Sequence, residues 1–207
     1  MAGLLSPDSR FYQSWASAAD LVILNLLMIL GSLPLFTAGA AFTATTRITA
    51  EMVREEETYV WKSWWRAFRE NFRLATLVWV PALALLSGFW LEERWISTMH
   101  SPVLVSVFLA FILLGVALIG AFLLWYFPLI CHFENNLTTH AANAVRLALG
   151  YLPRTLLCLV LISLPALLAL LLPQMLNAIG IFMVAIGGAF ISYLIALIQK
   201  PVLARLS

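Results

Sequence analysis

Five long apolar stretches, separated by short polar or charged segments, dominate the pattern along this chain. They lie at about 18–34, 74–90, 102–127, 155–172 and 178–198. Each approaches the roughly twenty apolar residues that a helix needs to cross the hydrocarbon core of a bilayer. Because that core contains no water to satisfy backbone groups, segments that cross it are helices. The pattern therefore predicts an all-α, polytopic helical membrane protein.

A sixth stretch, 37–55, is weaker because it is rich in small residues and threonines. Small side chains suit close helix packing, and threonines bond neighbouring helices. We favour a short crossing buried in the bundle, with a re-entrant or interfacial element as the alternative. The favoured interpretation gives about six membrane-embedded helices. Pro128 is expected to end or bend the span at 102–127.

Two amphipathic segments, at about 58–73 and 133–150, are predicted to be interfacial helices of a single membrane domain covering 1–207. In the first segment, helical spacing places aromatic rings on one face and basic side chains, Arg66 and Arg69 among them, on the other. The aromatic residues are Trp61, Trp64, Trp65, Phe68 and Phe72. This pattern is typical of a helix lying in a membrane interface. A docking face for another membrane subunit is the second interpretation of the same stripe.

Lysine and arginine are distributed unevenly between the predicted loops. The segment 47–73 holds six of them, 129–154 and the C-terminal tail hold two each, 91–101 holds one, and 173–177 holds none. The positive-inside rule then places 47–73, 129–154 and the C-terminus in the cytoplasm. With six crossings the N-terminus is cytoplasmic too, and with five it is outside. The expected location is a membrane that the chain crosses several times, with the C-terminus on the cytoplasmic side.

Polar side chains within or beside the spans are candidates for function, because burying them is costly unless they are paired. Asn25, Thr43, Thr46 and Arg47 are predicted to line the bundle interior, and Asn25 is expected to bond another helix. Arg73 and Arg154 lie where a span begins, so we expect them to anchor at lipid phosphates.

The composition and the motifs argue against several classes of function. The chain is 63% hydrophobic and 11% charged, and its net charge of +2 is too small to suggest nucleic-acid binding. It contains neither a Walker sequence nor a GxGxxG motif. Cys131, His132, Glu134 and His140 are close together, but their spacing matches no zinc motif. We expect no metal, no cofactor and no enzymatic activity.

Several short runs carry a resemblance to a known family. They are the runs at 32–41, 54–57, 65–73, 126–130, 143–148 and 152–156. With these runs the chain, from about 15 to 200, resembles the YesL-like family of bacterial membrane proteins. That resemblance implies an accessory part in sugar uptake or its regulation, because members often lie beside genes for carbohydrate ABC transporters. It implies no catalytic residues.

The favoured hypothesis is therefore an accessory or regulatory membrane component associated with carbohydrate uptake. It would pack against lipid and against a partner, either an ABC-transporter permease or a second copy. The alternative is a small-solute transporter in its own right, dependent on Asn25, Thr43 or Arg47. A third hypothesis, an enzyme acting on lipid-linked substrates, would need a titratable residue such as Glu134 or His132.

Overall fold

The computed structural model describes residues 10–56, 59–96 and 101–206, with side chains from Trp15 onward. Every regular element in these ranges is helical, which confirms the predicted all-α class. The α-helices are α1 Arg10–Ser32, α2 Ala38–Val53, α3 Val60–Ile96, α4 Pro102–His132, α5 Leu137–Gly150, α6 Leu152–Leu171, α7 Leu176–Phe182 and α8 Gly188–Leu203. A π-helical turn, Met183–Gly187, joins α7 to α8.

Five helical segments in the described ranges are long and apolar enough to cross a membrane. They are Trp15–Ser32, Val60–Ile96, Pro102–His132, Leu152–Leu171 and Pro173–Leu203. Their outward faces expose many large apolar side chains, such as Val103 and Leu113 on α4. Apolar surface on this scale is unfavourable in water and suits lipid. The chain is thus a multi-pass helical membrane protein.

Helix α2 forms the interior of the bundle. Eleven of its sixteen residues are buried, and they are mostly alanine, glycine and threonine. It packs against α1, α3, α4 and α8. At 1.5 Å per residue it is only about 24 Å long, which is shorter than the hydrocarbon core. The structure thus favours a short buried helix, rather than a surface element, for residues 37–55.

Three pairs of packed helices, α2 with α3, α3 with α4 and α4 with α6, are antiparallel. Two contacts fix the direction of each pair: Gly39–Trp79 and Arg47–Glu70 for α2 and α3, Gly115–Phe89 and Tyr126–Leu74 for α3 and α4, and Gly120–Leu159 and Trp125–Thr155 for α4 and α6. Helix α8 runs parallel to α2, because Thr49 bonds Ser192 and the carbonyl of Val53 accepts a hydrogen bond from Lys200. The C-terminal ends of α2 and α8 therefore lie together.

The prediction of a separate interfacial helix at 58–73 is wrong about where this helix ends. Residue 58 lies outside the described residues, and from Val60 the helix continues without a break to Ile96. No glycine or proline interrupts the chain between Phe72 and the apolar span, so nothing stops the helix there. The second amphipathic segment forms a helix of its own, α5, whose N-terminus is capped by the side chain of Asn136.

Helix α4 also continues past the proline that was expected to end or bend it. Pro128 lies inside the helix, which ends at His132. A proline has no N–H, so it leaves the carbonyl four residues earlier without its helical partner. Here that carbonyl belongs to Leu124, and it accepts a hydrogen bond of 2.9 Å from the Nε2 atom of Gln199 on α8. A neighbouring helix thus replaces the missing donor.

Candidate functional site

The predicted aromatic face of α3 divides into a buried and an exposed part. Trp64 is only 2% exposed, and its indole N–H donates to the Thr45 hydroxyl at 3.1 Å. Trp61 and Trp65, by contrast, are 66% and 47% exposed. Trp64 occupies the edge of the stripe that faces α1 and α2, because it lies about 60° around the helix from Trp61. Its predicted place on the outer face is therefore wrong.

The rings of this face form a stacked series from the core to the surface. Phe68 stacks on Trp64 at 5.2 Å between centroids and on Trp65 at 5.5 Å, and Phe72 follows at 5.7 Å. The guanidinium of Arg69 lies 5.9 Å from the Trp65 ring centroid, within cation–π range. We call Trp61, Trp65 and the adjacent Arg66 and Arg69, all exposed, the α3 outer patch.

The two predicted anchor arginines differ in their surroundings. Arg73 is exposed on α3, one turn beyond Arg69. Arg154 is partly buried at the start of α6, with its guanidinium 5.7 Å from the ring centroid of Tyr151. Both lie close to the end of the bundle that contains α5, where a cation can reach lipid phosphate.

Asn25 connects α1 to the π turn before α8. Its side chain is fully buried, and its Nδ2 atom donates to the carbonyls of Met183 at 3.0 Å and Val184 at 2.7 Å. Its Oδ1 atom accepts from the backbone N–H of Ala189 at 3.0 Å. A π turn disturbs the regular i to i−4 bonding of a helix and leaves backbone groups that need other partners. One amide satisfies three of them.

The other predicted interior groups do not converge on Asn25. Thr43 is buried, and its hydroxyl donates to the carbonyl of Gly39 in the same helix at 2.8 Å. Thr46 is partly exposed and borders two cavities. Arg47 pairs with Glu51 of its own helix at 3.2 Å and joins α2 to α3 through Glu70 at 2.9 Å.

Arg47 is charged at any physiological pH, as arginine side chains are. Its guanidinium lies between two carboxylates, those of Glu51 and Glu70. Because the pair is partly exposed, it contributes mainly orientation of α2 against α3 rather than stability.

A polar cavity of about 800 Å³ opens beside Arg47, between α3, the end of α4 and the start of α5. We call it the vestibule. Its polar lining residues are Arg47, Glu70, Asn71, Cys131, His132, Glu134, Asn135, Asn136 and His140. The structure thus brings the two predicted groups, Arg47 and the Cys131–His140 cluster, to one cavity.

His140 is a buried ionisable group of the vestibule. It is 1% exposed, and its ring packs edge-on against Tyr126 at 6.3 Å between centroids. Neither ring nitrogen makes a hydrogen bond of ordinary geometry to the described residues. Burial lowers the pKa of the imidazole, against the opposing effect of the Asn135 backbone. The ring is therefore neutral at pH 7.

Cys131 and His132 of the vestibule have backbone carbonyls as partners. The Cys131 thiol donates to the carbonyl of Thr43 at 3.2 Å, and the Nδ1 atom of His132 lies 2.8 Å from the carbonyl of Pro128. Across residues 10–56, 59–96 and 101–206, no group of three or more His, Cys, Asp or Glu side chains is arranged to hold a metal ion.

Sequence reasoning missed Asn71, Gln199 and Lys200. Asn71 is 7% exposed beside the vestibule, and Gln199 and Lys200 bond the carbonyls of Leu124 and Val53. Asn71 is hidden in a strongly charged stretch, where one more polar residue gives no signal. For Gln199 there was a signal: Pro128 must leave a carbonyl free, and a lone amide at the end of the last span is a suitable donor.

Comparison with known proteins finds a similarity between part of the chain and a family without an assigned role. Residues 21–91 match the model of the family described as "Protein of unknown function, DUF624". The DUF624 match begins in α1 and ends in α3, so it includes Asn25, all of α2 and the α3 outer patch. No curated protein and no solved structure matches the chain. The YesL-like resemblance stays a prediction.

Proposed function

We propose that this protein is a non-enzymatic accessory or regulatory component of the bacterial cytoplasmic membrane, associated with carbohydrate uptake. It acts by packing against an ABC-transporter permease, with self-association as the alternative. The docking role is supported by one observation, the exposed aromatic and basic surface of the α3 outer patch. The association with carbohydrate uptake is supported by the resemblance to the YesL-like family.

The α3 outer patch has the composition of a binding surface. Tryptophan and arginine are the residues that most often dominate binding energy at protein interfaces. Trp65 is held in place by Phe68, whose ring is nearly parallel at 5°, and by the guanidinium of Arg69. The Trp65 side chain therefore loses little conformational entropy when a partner binds to it.

The proposed orientation has the α5 end of the bundle in the cytoplasm. The C-terminal ends of α2 and α8 lie together at that end, joined by the bond between Lys200 and Val53. The segment richest in lysine and arginine, 47–73, begins near the end of α2. Its positive charge supports a cytoplasmic position for this end and for the C-terminus.

The test is a mild-detergent pull-down of the tagged protein from its native membrane, followed by mass spectrometry. We expect a transporter permease in stoichiometric amount with the wild type, and several-fold less with Trp65→Ser. The matched control is Trp90→Ser: Trp90 is also exposed on α3 and also carries an arginine, Arg94, at 4.9 Å from its ring centroid. It lies near the other end of the helix. Recovery of the protein without a permease, or equal losses in both variants, would contradict the proposal.

The vestibule favours a second candidate, a transporter that moves a small polar solute. A polar cavity of about 800 Å³ beside a membrane bundle is large enough for such a solute. Purified protein in vesicles would then take up solute without a partner, and Arg47→Gln would reduce the rate while Arg205→Gln would not. Solute entry equal to that of protein-free vesicles would exclude this candidate for the solutes tested.

A further inference from the structure

An apolar cavity of about 390 Å³ lies inside the bundle, at a different place from the vestibule. Its walls come from α1, α2, α3, α4, α6 and α8, and they include Phe42, Trp79, Phe127, Ile162 and Ile195. Such a cavity does not hold water well, because its walls offer few hydrogen-bond partners. In a bilayer, the acyl chain of a lipid is available to fill this cavity.

A second cavity of about 200 Å³ lies between the ends of α2, α4 and α8. It is bordered by Arg54, His132 and Lys200, and no aspartate or glutamate is among the described residues of its lining. Lys200 uses one of its three donors on the carbonyl of Val53. Arg54 pairs with Glu56 at the exposed surface. Lys200 therefore gives the mouth a positive charge, and the charge of Arg54 is partly offset by Glu56.

Thr46 and Gln199 border both cavities, so the mouth and the apolar cavity are adjacent. Gln199 is 1% exposed and donates to Leu124 through Nε2. Among the described residues, its Oε1 atom and the Thr46 hydroxyl make no side-chain hydrogen bond. This junction can accept the polar linkage between a headgroup and a chain. We call the two cavities and the junction the α2–α8 crevice.

The far end of the crevice is adaptable. Met28 and Met183 border it together with Gly188, beside the π turn that Asn25 holds. Methionine side chains are flexible and fill irregular space around a ligand. The end wall can therefore adjust to the end of an acyl chain.

We propose that the α2–α8 crevice binds an anionic phospholipid from the leaflet at the C-terminal end of the bundle. One acyl chain enters the apolar cavity past Thr46, and the phosphate lies at Lys200 and Arg54. Basic pockets between membrane helices are typical sites for anionic headgroups. The apolar chain and the acidic head of one molecule match the two parts of the crevice.

The test uses the purified protein in phosphatidylcholine vesicles that contain a small fraction of photoreactive lipid. The probe carries a diazirine on its acyl chain and has either a phosphatidylglycerol or a phosphatidylcholine headgroup. After irradiation, labelled peptides are mapped by mass spectrometry. We expect the phosphatidylglycerol probe to label the crevice walls on α4 and α8 several-fold more than the phosphatidylcholine probe. On the outer face of α4 the two probes should label equally.

Two variants test the two parts of the crevice. Thr46→Phe should block the junction and reduce crevice labelling several-fold, whereas Val107→Phe, on the exposed face of α4, should not. Lys200→Gln with Arg54→Gln should remove the difference between the two probes. Labelling confined to outer faces in the wild type, or equal crevice labelling by both probes, would overturn the proposal even if Thr46→Phe failed to fold.

Discussion

At Asn25, one amide side chain supplies three hydrogen bonds to backbone groups of another element, two carbonyls of the π turn and the N–H of Ala189. An aspartate there would offer no donor to the carbonyls, and an apolar residue would offer neither donor nor acceptor. The residue therefore determines the local path of the chain where α7 joins α8.

Replacing Asn25 with leucine should destabilise the protein, because two carbonyls and one N–H lose their partner. We expect the free energy of unfolding to fall by about 1–3 kcal/mol. Unfolding in mixed micelles, followed by circular dichroism, measures the change. Ser106→Ala is the control, because the Ser106 hydroxyl bonds only its own helix at the surface. Equal stability of the two variants would show that the three hydrogen bonds make no net contribution to the free energy of unfolding.

His140 should make stability depend on pH. Burial lowers its pKa in the folded protein below the value of about 6.5 in the unfolded chain. Between those two pKa values the unfolded chain binds more protons, so stability falls as the pH falls below about 6.5. We expect the melting temperature of the wild type to drop between about pH 7 and pH 5 more than that of His140→Phe. Parallel pH profiles of the two proteins would contradict this assignment.

At the scale of elements, hydropathy predicted the membrane helices because lipid allows few alternatives to a helix. The start of α4 at Pro102 and the separate helix α5 could also be predicted from the local sequence. The continuity of α3 did not, because an amphipathic and an apolar segment of one helix differ in surroundings rather than in backbone preference.

Side-chain partners were the part of the candidate site that the sequence could not provide. Trp64 and Trp65 are adjacent and chemically identical, yet one bonds Thr45 in the core and the other is exposed. The difference depends on where α1 and α2 pack against α3, and helical periodicity alone does not predict that position. The vestibule likewise could not be predicted, because its residues come together only when α3, α4 and α5 pack.

The close approach of α2 and α3 depends on Gly39. A Cβ atom there would lie 2.4 Å from Cβ of Trp79, which no ordinary packing allows. Gly39→Ala should therefore lower the free energy of unfolding by about 1–3 kcal/mol through overpacking. Gly88→Ala, at a site on α3 with no atom within 4 Å, should be neutral or slightly stabilising because alanine favours helix. A neutral Gly39→Ala would mean that the two helices separate easily.

At the scale of the whole molecule, the alternating helices predict the side of the membrane on which each end lies. The start of α1 and the end of α8 should share one side, and the turn at Leu33 should lie on the other. In a variant with Cys131 and Cys158 replaced by alanine, Leu33→Cys should react with an impermeant maleimide added outside intact cells. Leu206→Cys should react only after the cells are opened. The opposite pattern would reverse the proposed orientation.

The buried position of α2 also constrains how the chain is made. Its threonines, together with Arg47 and Glu51, make it too polar to leave the translocon for lipid alone, and its small side chains offer little apolar surface. Of the four helices that pack against it, only α1 is synthesised before it, and α3 is the next to be synthesised. All of α3 must therefore be synthesised before α2 can pack in its final position. We expect these three helices to enter the bilayer as one unit during biogenesis.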